Sequence, residues 1–358
     1  MFSKSNGDNS VDVDFSNFDA NRTPTIQRNR FTMEDEFEEE VQYSLNYQKK
    51  FEREGHTLTF DYQYSKGIDN ENSIIEEVIL GDNIALDTER TIDDQTQVSQ
   101  LVQMDYVLPF GKDNQSQFEL GYRGTFNNNN TDFDFGIQQP NGDFNSDTNF
   151  SNELNYKEYV NAAYAQLGSK FNKFSILGGL RMEASDIGIE LVNSNELTNK
   201  DYVNWFPSIF LGYEFSEKEQ ITLSYSKRLR RPRSRFINPF PSRSSNTNLF
   251  QGNADLDPTF TDSYDLGYLK RWDKFTFTTS GYFNRSTGVF QFVSRETGDF
   301  VTIENPDDPQ NPIVVPVQVR SPINLATEER LGMEFTTTYT PKRNWRLTWN
   351  LNAFYRDL

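Results

Sequence analysis

From about residue 38 to the end, one unit recurs about six times: an alternating strand, a tight turn, a second alternating strand and a long polar loop. The clearest copy starts at Ile221, where Ile221, Leu223 and Tyr225 are apolar and Thr222, Ser224 and Ser226 are not. Side chains on a strand point to opposite faces with a period of two, so each segment has one greasy face and one wet face. Val41, Tyr43, Leu45 and Tyr47 alternate with Gln42, Ser44, Asn46 and Gln48; Leu58, Phe60, Tyr62 and Tyr64 with Thr59, Asp61 and Gln63. Val102, Met104, Tyr106 and Leu108 share a face, as do Phe118, Leu120 and Tyr122. At the end, Leu331, Met333 and Phe335 oppose Glu334 and Thr336, and Trp345, Leu347, Trp349 and Leu351 oppose Arg346, Thr348, Asn350 and Asn352. Less regular strands fall at roughly 155–168, 173–190, 204–215, 262–271 and 274–285.

A helix would scatter residues spaced i, i+2, i+4 around its cylinder, so the helical reading fails. About twelve such segments, most of ten residues or more, are too many and too long for an ordinary soluble sandwich. An apolar band of ~25 Å crossed at ~40° tilt needs ~10 residues per strand. The expectation is an all-β fold: an antiparallel transmembrane β-barrel segment of about 12 strands over residues 38–358. Residues 1–37 read as a polar segment resembling an extracellular loop.

Composition agrees. The chain is 35% hydrophobic with a mean hydropathy of −0.75. No run of about 18 apolar residues exists to make a membrane helix. A polar lumen-facing half lowers average hydropathy without excluding a membrane barrel. Aromatics reach 15%, and many stand at strand ends (Phe51, Phe110, Phe171, Phe174, Trp205, Phe215, Trp272, Phe275, Trp345), as in the girdles at bilayer interfaces. The net charge of −18 argues against a nucleic-acid partner, because no dominant basic face is present.

Connections near 51–55, 110–115, 169–173, 216–219, 272–274 and 341–344 are short; those near 67–96, 127–154, 192–203, 231–261 and 286–323 are longer, most of them running to tens of residues. Outer-membrane barrels put short turns in the periplasm and long loops outside. On that count both chain ends lie on the extracellular side, and the expectation is an incomplete barrel without a plug domain. The acidic stretch 69–94 reads as a solvated loop, with a cation site as the competing view.

The residues from 205 onward carry a resemblance. Trp205-Phe206-Pro207-Ser208 leads into Gln220-Ile221-Thr222-Leu223-Ser224-Tyr225-Ser226-Lys227-Arg228. Then come Arg231-Pro232, Asn238-Pro239-Phe240, Gly252-Asn253-Ala254-Asp255-Leu256-Asp257-Pro258 and Tyr264-Asp265-Leu266-Gly267-Tyr268. This order resembles the barrel of TonB-dependent outer-membrane receptors of the Bacteroidota-type outer-membrane beta-barrel branch. Ala254, Asp257, Thr259 and Asp265 depart from the usual Pro, Lys, Glu and Glu. The family-motif positions kept are Asn238, Pro239, Phe240, Gly252, Asn253, Leu256, Pro258, Tyr264, Gly267 and Tyr268. The resemblance implies a 22-stranded barrel with a plugged lumen in the outer membrane, importing a scarce large solute. Its implied partners are outer-membrane lipid and lipopolysaccharide, with a plug domain and TonB complex that this chain does not encode.

Chemistry-bearing motifs are few. GxGxxG, GxxxxGK[ST], HExxH, GxSxG and an EF-hand loop are all missing. The lone His56 lies in a short turn, and cysteine is absent, so neither an enzyme, a cofactor nor a transition-metal site is expected. One basic cluster stands out: Lys227, Arg228, Arg230, Arg231, Arg233 and Arg235, with Arg243 farther on. Guanidinium forks bind carboxylate and phosphate bidentately. The cluster is therefore either a rim site for an anionic cargo or lipid A phosphate, or a set of salt bridges to acidic loops. Strand parity predicts Arg228 and Arg230 facing the lumen and Arg231 and Arg233 facing out. Two alternatives remain at this point: a self-contained 12-stranded passive pore, and a surface β-rich binding module of adhesin type.

Overall fold

A computed structural model describes residues 1–18, 22–81, 84–245, 247–303 and 311–358. It is a meander in which each wall strand runs antiparallel to the one before it. The strands of its first half are β1 (Phe2–Phe18), β2 (Pro24–Lys50), β3 (Thr57–Leu80), β4 (Ile84–Ala85), β5 (Glu89–Phe110), β6 (Ser116–Gln138), β7 (Phe144–Ser146) and β8 (Asn152–Phe171). Next come β9 (Phe174–Leu191), β10 (Glu196–Ser216), β11 (Glu219–Arg230), the short helix α1 (Ser234–Ile237), β12 (Pro241–Ser245) and β13 (Asn248–Gln251). The last four are β14 (Thr259–Arg271), β15 (Phe275–Ile303), β16 (Ile313–Lys342) and β17 (Trp345–Asp357).

The wall runs β1, β2, β3, β5, β6, β8, β9, β10, β11, β14, β15, β16, β17, while β4, β7, β12 and β13 are short additions outside it. Among the described residues β1 and β17 do not pair, so the sheet is open.

Register converts sequence alternation into two faces, because directly opposed residues of antiparallel strands project to the same side. One row crosses seven strands through Ile176, Leu211, Leu223, Leu266, Gly281, Met333 and Ala353. The row one residue away is Ser175, Gly212, Thr222, Gly267, Ser280, Glu334 and Asn352, on the other face. The early strands repeat this, with Leu45, Tyr62 and Val102 against Asn46, Asp61, Gln103 and Arg123. The apolar row is not packed against protein: Leu223 is 49% exposed, Leu266 51% and Met333 51%.

Aromatic rows flank it on the same face. Phe174, Tyr213, Tyr268 and Phe335 lie toward the short turns, and Tyr225, Tyr264, Phe283 and Tyr355 toward the long connections. Beyond each aromatic row charge returns. Glu219 pairs with Lys270 at 3.1 Å on the turn side, and Lys227, Asp262, Arg285 and Glu329 form a charged row on the other. From Asp262 to Lys270 the strand rises ~27 Å, or ~20 Å along a bilayer normal at ~40° tilt. The apolar band is thus bounded by charge at a spacing suited to a bilayer.

Two expectations change. Residues 2–18 and 24–37, read as loop, form a hairpin of β1 with the first half of β2. The described residues of 67–96, 127–154, 192–203 and 286–323, read as long loops, are mostly strand, since β3, β5, β6, β8, β9, β10, β15 and β16 stay zipped well past the apolar band. Hairpin pairing there satisfies the backbone donors and acceptors, and with water on both faces the side chains need no apolar alternation. The short turns stand where the sequence put them.

Candidate functional site

Strands β11 and β14 are neighbours whose last pair is Arg230 with Thr259, so a tight turn could join them. Instead the described residues of 231–258 leave the wall and fold across its polar face. Pro232, two residues past the last paired residue of β11, has no backbone donor with which to extend the ladder. After α1, Asn238 Oδ1 accepts from the Phe240 amide at 3.0 Å, an Asx-type turn. The β12–β13 hairpin returns the chain, and the Gln251 amide group donates to the Pro239 carbonyl at 2.7 Å. Gly252 then passes flat against the earlier leg, where any Cβ would collide with the Asn238 and Arg235 backbones. Next, the Asn253 amide donates to the Phe236 carbonyl at 2.7 Å.

This strap is anchored on both sides. Toward β9 and β10, Arg231 Nη2 lies 2.8 Å from Glu183 Oε2, donates to Ser185 Oγ at 2.8 Å, and its Nε donates to Tyr202 Oη at 3.2 Å. Arg181 holds the other Glu183 oxygen at 2.8 Å. The Lys200 ammonium caps the Leu256 carbonyl at 2.9 Å. Toward β15 and β16, Asn253 donates to the Pro322 carbonyl at 3.2 Å, and Asn324 donates to the Asp257 carbonyl at 3.0 Å and the Gly288 carbonyl at 2.7 Å. β13 adds in parallel to Gln318–Arg320 of β16. Beneath the strap sits a core cluster of buried residues: Leu154, Tyr156, Ile187, Ile189 and Leu191 from the wall, Ile237 and Leu256 from the strap. A ring cluster of Phe236, Phe250, Phe290 and Phe292 closes the β15 side.

Between the strap and β2–β6 lies a cavity of about 620 Å³, lined by Glu34, Glu71 and Asp93 on the wall and by Arg235, Phe240 and Phe250 on the strap. Register places Glu36, Glu71 and Asp93 in one row and Glu38 opposite Asp69 in the next. Like charges directly opposed on adjacent strands destabilise a sheet. Burial first, then Glu71, Asp69 and Asp94, push the Asp93 carboxyl above its ordinary range against a lowering hydrogen bond from Gln95. The carboxylate oxygens of Glu36, Glu38 and Asp69 lie within 4.8 Å of one another, a donor set of the hard-cation type. The expected acidic loop at 69–94 is therefore in large part a paired carboxylate ladder on the strap-side face.

The basic cluster is divided. Arg228 and Arg230 are exposed and share parity with Thr222, on the polar face, as strand parity predicts. Arg231 does not face outward: the wall strand ends at Arg230, and Arg231 turns onto the strap side to meet Glu183. Arg233 and Arg235 are exposed beside α1, with Arg235 5.0 Å from the Phe250 ring centroid. Side-chain chemistry for Arg243 lies outside the described residues. Of the motif positions, Asn238, Pro239, Phe240, Gly252, Asn253, Leu256 and Pro258 build the strap, while Tyr264, Gly267 and Tyr268 belong to β14. No sequence signal pointed to Glu183, Tyr202 or Lys200 as its anchors. His56 stacks on Phe51 at 4.0 Å and meets Tyr106 Oη at 3.0 Å, an aromatic clasp of the β2–β3 turn.

Residues 49–358 match the family model described as the outer membrane protein beta-barrel family. Among solved structures, the copper transporter OprC superposes with a TM-score of 0.59 at 13% identity, covering 99% of this chain and 53% of its own. The siderophore receptor PirA from Pseudomonas aeruginosa gives 0.53 at 11%, covering 99% and 63%. The unliganded ferric citrate transporter FecA gives 0.53 at 10%, covering 94% and 48%. The chain thus spans about half the length of these solved proteins, and the likeness is one of fold. No curated protein matches.

Proposed function

The chain belongs to the outer membrane protein beta-barrel family, an outer-membrane wall of antiparallel strands, and from that premise we propose that it forms the wall and outer loops of a TonB-dependent receptor importing a scarce, large solute. The observation that carries the reading is the pairing of rows: exposed leucines on one face, polar residues and an infolded strap on the other. The apolar rows face lipid, the polar rows a lumen, the short turns the periplasm. The cavity under the strap opens on the outer side and receives cargo. A plug domain and a TonB contact are the partners this reading implies.

Among the described residues thirteen wall strands alternate in direction, with β1 and β17 running the same way at the two open edges. The Arg228 and Arg230 guanidiniums, exposed on the lumen side, are cargo contacts in this reading; Arg228→Ala and Arg230→Ala each lower cargo affinity of the whole receptor in titration. The deciding experiment deletes the gene and measures uptake of large solutes under limitation, with and without a protonophore. Energised receptor transport is lost on deletion and stopped by the protonophore. Uptake indifferent to the protonophore, with discrete channel steps in planar bilayers, would replace this reading with a passive pore.

A further inference from the structure

An outer connection in a transport barrel can be a gate that swings aside or a fixed part of the wall. Four features distinguish these for residues 231–258. The strap is pinned on two sides, by Arg231 to Glu183, Ser185 and Tyr202 and by Asn253 and β13 to β16. Its contact with the wall contains buried Leu256, Ile237, Ile189 and Leu191, so lifting it would expose apolar surface to water. It would also strand Glu183 and Arg231, whose side chains are only 13% and 20% exposed, as separated charges. Finally, its turns are closed by internal bonds that owe nothing to cargo: Asn253 to Phe236, Gln251 to Pro239, Phe240 to Asn238.

We propose that residues 231–258 are a permanently docked brace, tying β9–β10 to β15–β16 across the lumen side and staying in place while solute passes. The inference rests on the reading of this face as the lumen of a transporter. Three consequences follow. The cavity under the brace is preformed, with a fixed roof. Its occupant is selected by the space between β2–β6 and that roof. Gly252, Asn253, Leu256 and Pro258 are positioning residues for the brace, not cargo contacts.

These 358 residues hold no cysteine, so within them an engineered pair has no competing thiol. Leu249 and Val319 are direct partners in the β13–β16 pairing, at a separation a disulfide can span. In the whole receptor, Leu249→Cys with Val319→Cys is expected to oxidise readily in outer membranes and to leave the uptake rate within about twofold of the reduced form. The Asn253 and Leu256 amides are expected to exchange hydrogen as slowly as paired amides of the wall, and Glu183→Ala to speed that exchange at least tenfold. Oxidation that stops uptake, with recovery on reduction, would make the strap a gate and overturn the proposal. So would failure of the pair to oxidise, or free exchange at both amides in the native receptor. If the receptor shows no uptake at all, the transport reading fails, while disulfide yield and exchange still decide whether the strap is docked.

Discussion

Leu223 is the residue on which lipid and water readings diverge most sharply. It is half exposed, sits mid-row between Leu211 and Leu266, and lies between aromatic rows on either side. A charge there must be buried in hydrocarbon or drag the strand out of place. Leu223→Arg is expected to cost ~2–4 kcal/mol in urea unfolding from lipid vesicles, and Thr222→Arg, one residue along and on the polar face, far less. Equal costs would place water on both faces. Asp93 supplies a second test. Its carboxyl is pushed up by burial and neighbouring carboxylates, so ionising it works against the fold. Stability on its account is highest below the ordinary aspartate pKa of ~3.9, falls as pH rises through the folded-state pKa, and stays low above it. Asp93→Asn removes that fall. The variant should melt above the parent at pH 7 and converge with it near pH 3; a gap that persists at pH 3 would mean the effect is not ionisation.

At the level of elements, strands inside the apolar band were legible because two different solvents impose a period of two on their side chains. Residues 220–226 and 345–352 show this in both sequence and register. Where strands leave the band the same backbone continues, but the imposed alternation stops. Asn127 to Asp132 reads as loop for that reason, although β6 pairs through it on both edges. The strap was illegible for another reason: its fold depends on contacts with Glu183, Lys200 and Pro322, all distant in sequence. Parity extrapolated past Leu229 failed for Arg231 because the regular strand stops one residue earlier. Its motif residues did mark the right segment, and the close approach at Gly252 gives a direct check. Gly252→Ala forces apart backbone legs that now touch. The expected outcome is a loosened strap, read as faster exchange at the Asn253 and Leu256 amides, with wall amides near Leu223 unchanged. An unaltered strap would show that the legs can part at no cost.

For the molecule as a whole, one physical arrangement generates the rest. A sheet with an exposed apolar band on one side and polar rows with a buried strap on the other is unstable in water alone, yet suited to a boundary between bilayer and channel. Localisation and the aromatic rows at the edges of the apolar band follow from it. The most direct measurement puts nitroxide labels at Leu223 and Thr222, adjacent residues of β11, in the protein reconstituted in bilayers. Collision with apolar oxygen should dominate at Leu223, and collision with a water-soluble nickel complex at Thr222. Strong nickel relaxation at Leu223, equal to that at Thr222, would contradict the account.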